Sequence, residues 1–140
     1  MNLKKVEKNL AKFLNDKAEL GFDFKREGNK LTASCTLEFN DLGTSGLCSF
    51  TFFNNWATFD VYFDDIDATP DVCVLVNNFN KDALFFKACA DEFLVVENTV
   101  ALIDDGNVVE YVSALLDELV SDDFTQGIKP LIDLTYERED

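Results

Sequence analysis

Apolar residues recur at helical spacing at the start of the chain, at Leu3, Val6, Leu10, Phe13 and Leu14, with Lys4, Lys5, Lys8, Lys12 and Lys17 between them. A stripe of that period buries one side of a helix and leaves the other in water. The sequence therefore predicts an amphipathic first helix ending near Gly21. Phe22 to Arg26 then leads through Glu27-Gly28-Asn29 into Leu31 to Phe39, where apolar and polar residues alternate without a fault. A period of two is that of a half-buried strand.

After a loop from Asn40 to Gly46, two β-rich runs, Leu47 to Phe53 and Trp56 to Phe63, flank Asn54-Asn55. Asn tolerates positive φ, so a tight hairpin is expected. Its inward row is Cys48, Phe50 and Phe52 facing Ala57, Phe59, Val61 and Phe63. Its outward row is Ser49, Thr51 and Phe53 beside Trp56, Thr58, Asp60 and Tyr62. A slip of one residue would exchange the two rows and expose Phe50, Phe52 and Phe59 instead.

Thr69-Pro70-Asp71 has the chemistry of a helix start: a side-chain acceptor, a fixed φ and an acid in the first turn. It opens a second helix carrying Val72, Leu75, Val76 and Phe79 and closing near Asn80. Phe85 to Ala90 and Phe93 to Ile103 read as two strands joined across Asp91-Glu92, in runs too continuously apolar to tell which side faces inward. Asp104-Asp105-Gly106-Asn107 precedes a third helix with Val108, Tyr111, Val112, Leu115, Leu116 and Leu119. Asp122-Asp123 caps a further short helix, with Pro130 either breaking it or beginning its last turn, and Glu137 to Asp140 are expected to fray. The order predicts one α+β domain over residues 1–140: helix, antiparallel β-meander, helix, β-hairpin, helix, with the helices packed on one face of the sheet.

Composition narrows the function. The 140 residues include 47% apolar side chains and 14 Phe, enough for a packed core despite a formal charge of −15. A pI near 4.1 disfavours direct binding of nucleic acid or of anionic membrane surfaces. The N-terminal residues form neither the apolar core of a signal peptide nor a membrane span, so a cytoplasmic location is expected. Cys35, Cys48, Cys73 and Cys89 form no Cys-x-x-Cys pair and there is no His, which argues against a zinc site. The thiols read as buried small hydrophobes. A Cys35–Cys48 disulfide across neighbouring strands is conceivable in geometry and disfavoured by a reducing compartment.

Several short patterns carry a family resemblance. Phe22 to Leu31 looks like the opening hairpin of the YbjN-like family, Leu75-Val76-Asn77-Asn78-Phe79-Asn80 is similar to its helix-ending stretch, and Phe86-Lys87-Ala88 with Asp91-Glu92 and Leu94 to Glu97 is like the strand pair that follows there. Over roughly residues 3 to 135 the chain resembles that family and its structural relatives, the bacterial type III secretion chaperones. The resemblance implies a small acidic protein, often a homodimer, that binds another protein and has no cofactor or catalytic residue. Chaperones of that kind hold a client segment against apolar grooves and sheet edges.

The remaining motifs have plain explanations. Without His, the commonest general base near neutral pH is missing, so no enzyme activity is expected. Gly43-Thr44-Ser45-Gly46 lacks the Lys of a phosphate loop and reads as a turn. Asp65 to Asp71 spaces oxygens like a calcium loop, but Pro70 occupies the glycine position and Val76 that of the bidentate Glu. The pairs Asp64-Asp65, Asp104-Asp105 and Asp122-Asp123 read as solvated loop charges.

Two features remain. Residues 1–30 hold 8 basic and 5 acidic side chains, net +3, whereas residues 31–140 hold 4 and 22, net −18. The outward row offers Phe53, Trp56, Thr58 and Tyr62 as partner-binding residues on an open sheet face. The expected function is that of a non-enzymatic adaptor or chaperone-like protein, without cofactor or metal, that holds a protein segment on this face. The alternative is an acidic DNA mimic that inhibits a nucleic-acid-binding enzyme in the manner of phage anti-defence proteins.

Overall fold

The uninterrupted alternation from Leu31 to Phe39 becomes one of the inner strands of a six-stranded antiparallel sheet. The structure, a computed structural model, describes residues 2–16, 21–83, 85–101 and 104–139. Chain order is α1 (Leu3–Asp16), β1 (Asp23–Glu27), β2 (Lys30–Phe39), a 3-10 turn (Asn40–Leu42), β3 (Thr44–Phe53), β4 (Trp56–Asp65), α2 (Pro70–Asp82), β5 (Lys87–Ala90), β6 (Phe93–Ala101), α3 (Val108–Leu119) and α4 (Asp122–Glu139). The strands lie in the order β1-β2-β3-β4-β6-β5. This is the α+β arrangement the sequence predicts, with helices on the sheet.

Turn chemistry sets the meander. Gly28 takes φ +59 between Glu27 and its partner Lys30, and Asn54 takes φ 33 between the paired Phe53 and Trp56. The second turn fixes the register of the Phe-rich hairpin. Cys48 faces Val61, Phe50 faces Phe59 and Phe52 faces Ala57, all buried. A slip by one residue would expose these rings, so the burial of three Phe side chains selects this register.

The core is a run of aromatic contacts between the sheet and the helices. Phe50 meets Phe59 at a centroid distance of 4.3 Å, Phe59 meets Phe86 at 5.9 Å, Phe86 meets Phe124 at 5.3 Å, and Phe39 meets Phe63 at 5.4 Å. Val6, Leu10 and Leu14 of α1, Leu115 and Leu119 of α3, and Ile128, Leu131 and Ile132 of α4 close over them. Gly46 is required here because a Cβ would stand 2.7 Å from Val61 Cγ1 and 3.2 Å from the Phe39 ring.

Five local expectations are corrected. The loop after β2 is shorter than Asn40 to Gly46: Gly43 ends the 3-10 turn at φ +66, and Thr44, Ser45 and Gly46 already belong to β3, opposite Phe39, Glu38 and Leu37. The Gly-Thr-Ser-Gly motif is thus half turn and half strand. β4 runs on to Asp65 through a bulge after Tyr62, and β5 starts only at Lys87. The final helix is not short. Ser121 caps it, its hydroxyl accepting from Phe124 N–H at 3.2 Å, while Asp122 and Asp123 sit in the first turn and Pro130 lies inside. Packing of Ile128, Leu131 and Ile132 on both sides of Pro130 holds the helix together across the missing hydrogen bond. Helical structure continues to Glu139 where fraying was expected. The predicted end of the first helix beyond Asp16, with Lys17, and that of the last strand at Ile103 lie outside the described residues.

Candidate functional site

The strand registers align the outward side chains into rows across the sheet. At the hairpin tip, Lys30, Phe53 and Trp56 are neighbours, and the two rings lie 5.2 Å apart. The next row is a threonine ladder, Thr32, Thr51, Thr58 and Thr99. A polar row follows, Ser34, Ser49, Asp60 and Glu97, bounded by Asp23 on β1 and Lys87 on β5. Beyond it come Thr36, Leu47, Tyr62, Val95 and Cys89. Phe93, two residues before Val95 on the same strand, points to the same side. Leu47, Trp56, Tyr62 and Phe93 are 50%, 44%, 42% and 42% exposed. Among the described residues, every strand position buried as core lies on the opposite, helix-covered face.

The four residues singled out in the sequence thus share one face but not one cluster. Phe53 and Trp56 touch. Thr58 stands in the neighbouring row. Tyr62 is six residues along β4 from Trp56, which at strand rise is about 20 Å, and it belongs with Leu47, Val95 and Phe93. Sequence reasoning missed these three. Leu47 carries a signal, an apolar residue in the phase of Ser49 and Thr51. Phe93 and Val95 carry none, because they sit in a run where both phases are apolar.

Electrostatically the middle of the face is unfavourable to itself. Asp60 stands directly opposite Glu97, and partial burial followed by the Glu97 charge holds the Asp60 carboxyl above its ordinary value. On the other side of the sheet, burial and then the Asp60 charge push the Tyr111 phenol upward. The Tyr111 hydroxyl donates to Asn98 Oδ1 at 3.0 Å, and the Asn98 amide donates to the Phe85 carbonyl at 2.6 Å. This chain of bonds ties α3 to β6 and uses up the polar atoms that would otherwise suggest a site.

The other motifs resolve into local structure. Thr69 Oγ1 accepts from Val72 N–H at 3.3 Å, so Asp65 to Asp71 prepares a helix cap. Asp104 Oδ1 accepts from Gly106 N–H at 2.8 Å, and Asp105 Oδ1 accepts from Asn2 N–H at 2.8 Å. Cys35 and Cys48 face each other on β2 and β3 as free thiols. Burial pushes the Cys35 thiol up to about 11, with Asp23 adding to it, and Cys48 higher still. Cys73 and Cys89 are exposed, which corrects the expectation that the thiols are buried: one lies on the solvent side of α2 and the other on the open side of β5. No group of three or more Cys, Asp or Glu among the described residues is placed to hold a metal ion. A cavity of about 590 Å³ lies between α2 and α4, walled by Leu75, Phe79, Phe86, Phe124 and Leu131, with Asp82, Glu118 and Asp123 around it. No helix among the described residues is long and apolar enough to cross a membrane. The chain matches no family model and no curated protein.

Proposed function

We propose that the protein is a non-enzymatic, chaperone-like adaptor that holds a segment of another protein along the open sheet face. The observation that carries this reading is the exposure of Leu47, Trp56, Tyr62 and Phe93 on the face opposite the core. Large apolar side chains grouped on an otherwise polar surface mark interaction sites, and Trp and Tyr are the side chains most enriched in binding hot spots. Two apolar ends about 20 Å apart, with threonines and Asp60 between them, suit an extended segment that anchors side chains roughly six residues apart. The resemblance to YbjN-like proteins and secretion chaperones favours the same class of partner.

Trp56 is the sole tryptophan of the chain, so its fluorescence reports on the proposed contact directly. Affinity capture from the native host with the wild-type and Trp56→Ala chains as paired baits is expected to retain a protein that the variant loses. The purified partner should then shift the Trp56 emission to the blue. Because Trp56 is exposed at the hairpin tip, the substitution should leave the thermal midpoint within about 2 °C of wild type. A captured partner that binds Trp56→Ala equally well and leaves the wild-type emission unchanged overturns the assignment of the face.

A further inference from the structure

The two edges of the sheet are finished differently. At β5 the Asn80 side chain accepts from the Ala88 N–H at 2.6 Å and donates to the Ala88 carbonyl at 3.1 Å. Lys87 Nζ adds bonds to the carbonyls of Asn80 and Ala83 at 2.9 and 3.0 Å. The chain's own second helix therefore closes that edge. β1 forms the opposite end of the sheet, and among the described residues no strand pairs with its outer side. Its residues are exposed, with Phe24 half-buried. A free strand edge accepts another strand unless its charges refuse one.

The charges of β1 discriminate among occupants. When a strand pairs antiparallel with a second copy of itself about a twofold axis, the residue on the axis faces its own counterpart, and its neighbours face each other crosswise. Centred on Lys25, the pairing sets Lys25 against Lys25 and Asp23 against Glu27, all like charges. Centred on Arg26, it sets Arg26 against itself. Centred on Phe24, it sets Phe24 against Phe24 on the helix-covered side and Asp23 against Lys25, twice, on the open side. Cross-strand pairs of opposite charge favour pairing and like pairs oppose it. A second argument comes from the whole charge distribution. β1 lies in the segment of residues 1–30, net +3, and Arg26 is bound to Glu7 of α1 at 3.1 Å. Two bodies of charge −15 would thus meet at a segment that carries none of their excess negative charge.

We propose that the protein forms a homodimer by antiparallel pairing of β1 with β1 of a second copy, centred on Phe24, which joins the two six-stranded sheets edge to edge. The interface lies at the sheet edge, apart from the exposed Leu47, Trp56, Tyr62 and Phe93, so the dimer stands or falls independently of the adaptor reading. Inside the protomer, the cross-strand partners of Asp23 and Lys25 are Ser34 and Thr32, both uncharged. Exchanging the two charges therefore creates no new cross-strand charge pair within one copy, and the pair that Lys25 makes with Glu27 along its own strand at 3.0 Å is lost in the Lys25→Asp variant and in the double exchange alike, so the difference between those two reads the contact between copies.

Sedimentation equilibrium of the full chain over a concentration series tests this. The wild type is expected to dimerise reversibly. Asp23→Lys and Lys25→Asp should each raise the dimer Kd about tenfold or more, because symmetry makes each substitution act at two pairs. The double exchange, Asp23→Lys with Lys25→Asp, should return it to within about threefold of wild type. Hydrogen exchange on the wild type gives a readout free of folding effects: amides in residues 23–27 should slow as concentration rises. A chain that stays monomeric at every concentration, or a dimer that neither single exchange weakens or the double exchange fails to restore, overturns the proposal. So does slowing of the β1 amides that appears only when a different protein is added.

Discussion

Asp60 is a carboxylate whose surroundings disfavour its charge. It stands on the open face opposite Glu97, and burial and that neighbour raise its carboxyl above the ordinary value. A carboxyl raised in the folded state binds its proton more tightly there than in the unfolded chain, so ionisation costs stability. The cost is full above the raised folded value, shrinks as pH falls through it, and is gone below the ordinary carboxylate range. Asp60→Asn should therefore stabilise the protein at neutral pH by a few tenths to about 1 kcal/mol, since like charges directly opposite cost about that much and the site is partly screened. Urea titrations at neutral pH and near pH 3 check this, the gain being expected only in the first. The sequence placed Asp60 on the outward row through period-two alternation. Its confrontation with Glu97 was not legible, because nothing local says that β4 pairs with β6 and not with β5, the next strand in the chain.

At the scale of elements, the legible ones are those whose period and punctuation agree. α1, the strand from Lys30 to Phe39 and the hairpin around Asn54-Asn55 have both a clean apolar period and residues suited to their ends. α4 was read as short because Pro130 breaks the local rule, and buried neighbours on either side override it. β5 is the other instructive case. It has four residues, and its stability comes from β6 on one side and from the Asn80 amide of α2 on the other. Asn80→Ala should remove both bonds and leave the Ala88 N–H and carbonyl without side-chain partners at a part-buried edge. The expected loss is about 1–3 kcal/mol in chemical denaturation with an unchanged slope. Hydrogen exchange should show the extra opening confined to β5 and the end of α2.

For the whole molecule the dominant fact is charge. An excess of 15 negative charges on a chain of 140 residues repels itself in the compact state. Ion pairs such as Lys25 with Glu27, Arg26 with Glu7 and Lys129 with Asp133 offset part of this, and all three lie at the surface. Surface pairs of this kind contribute little. Raising salt from about 10 mM to about 150 mM shortens the screening length from roughly 30 to 8 Å. The thermal midpoint is accordingly expected to rise by a few degrees in scanning calorimetry. A fall would mean that attraction between the basic first segment and the acidic body outweighs repulsion within that body. The helices cover one sheet face only: that face supplies the core, and the other presents Trp56, Tyr62, Leu47 and Phe93.

Local period and turn chemistry by themselves determined that this chain is α+β, that Phe50, Phe52 and Phe59 share one side of the hairpin, and that Phe53, Trp56 and Tyr62 share the other. These follow from nearest-neighbour geometry along one strand or one tight turn, which a sequence carries within a few residues. Burial in the folded molecule chose which side faces inward. Only the tertiary structure decided the order β4-β6-β5, the closing of one sheet edge by Asn80, and the division of the open face into two apolar ends. Those depend on which distant segments come to lie side by side. That choice is made by burying the aromatic core as a whole, so no local stretch of sequence records it.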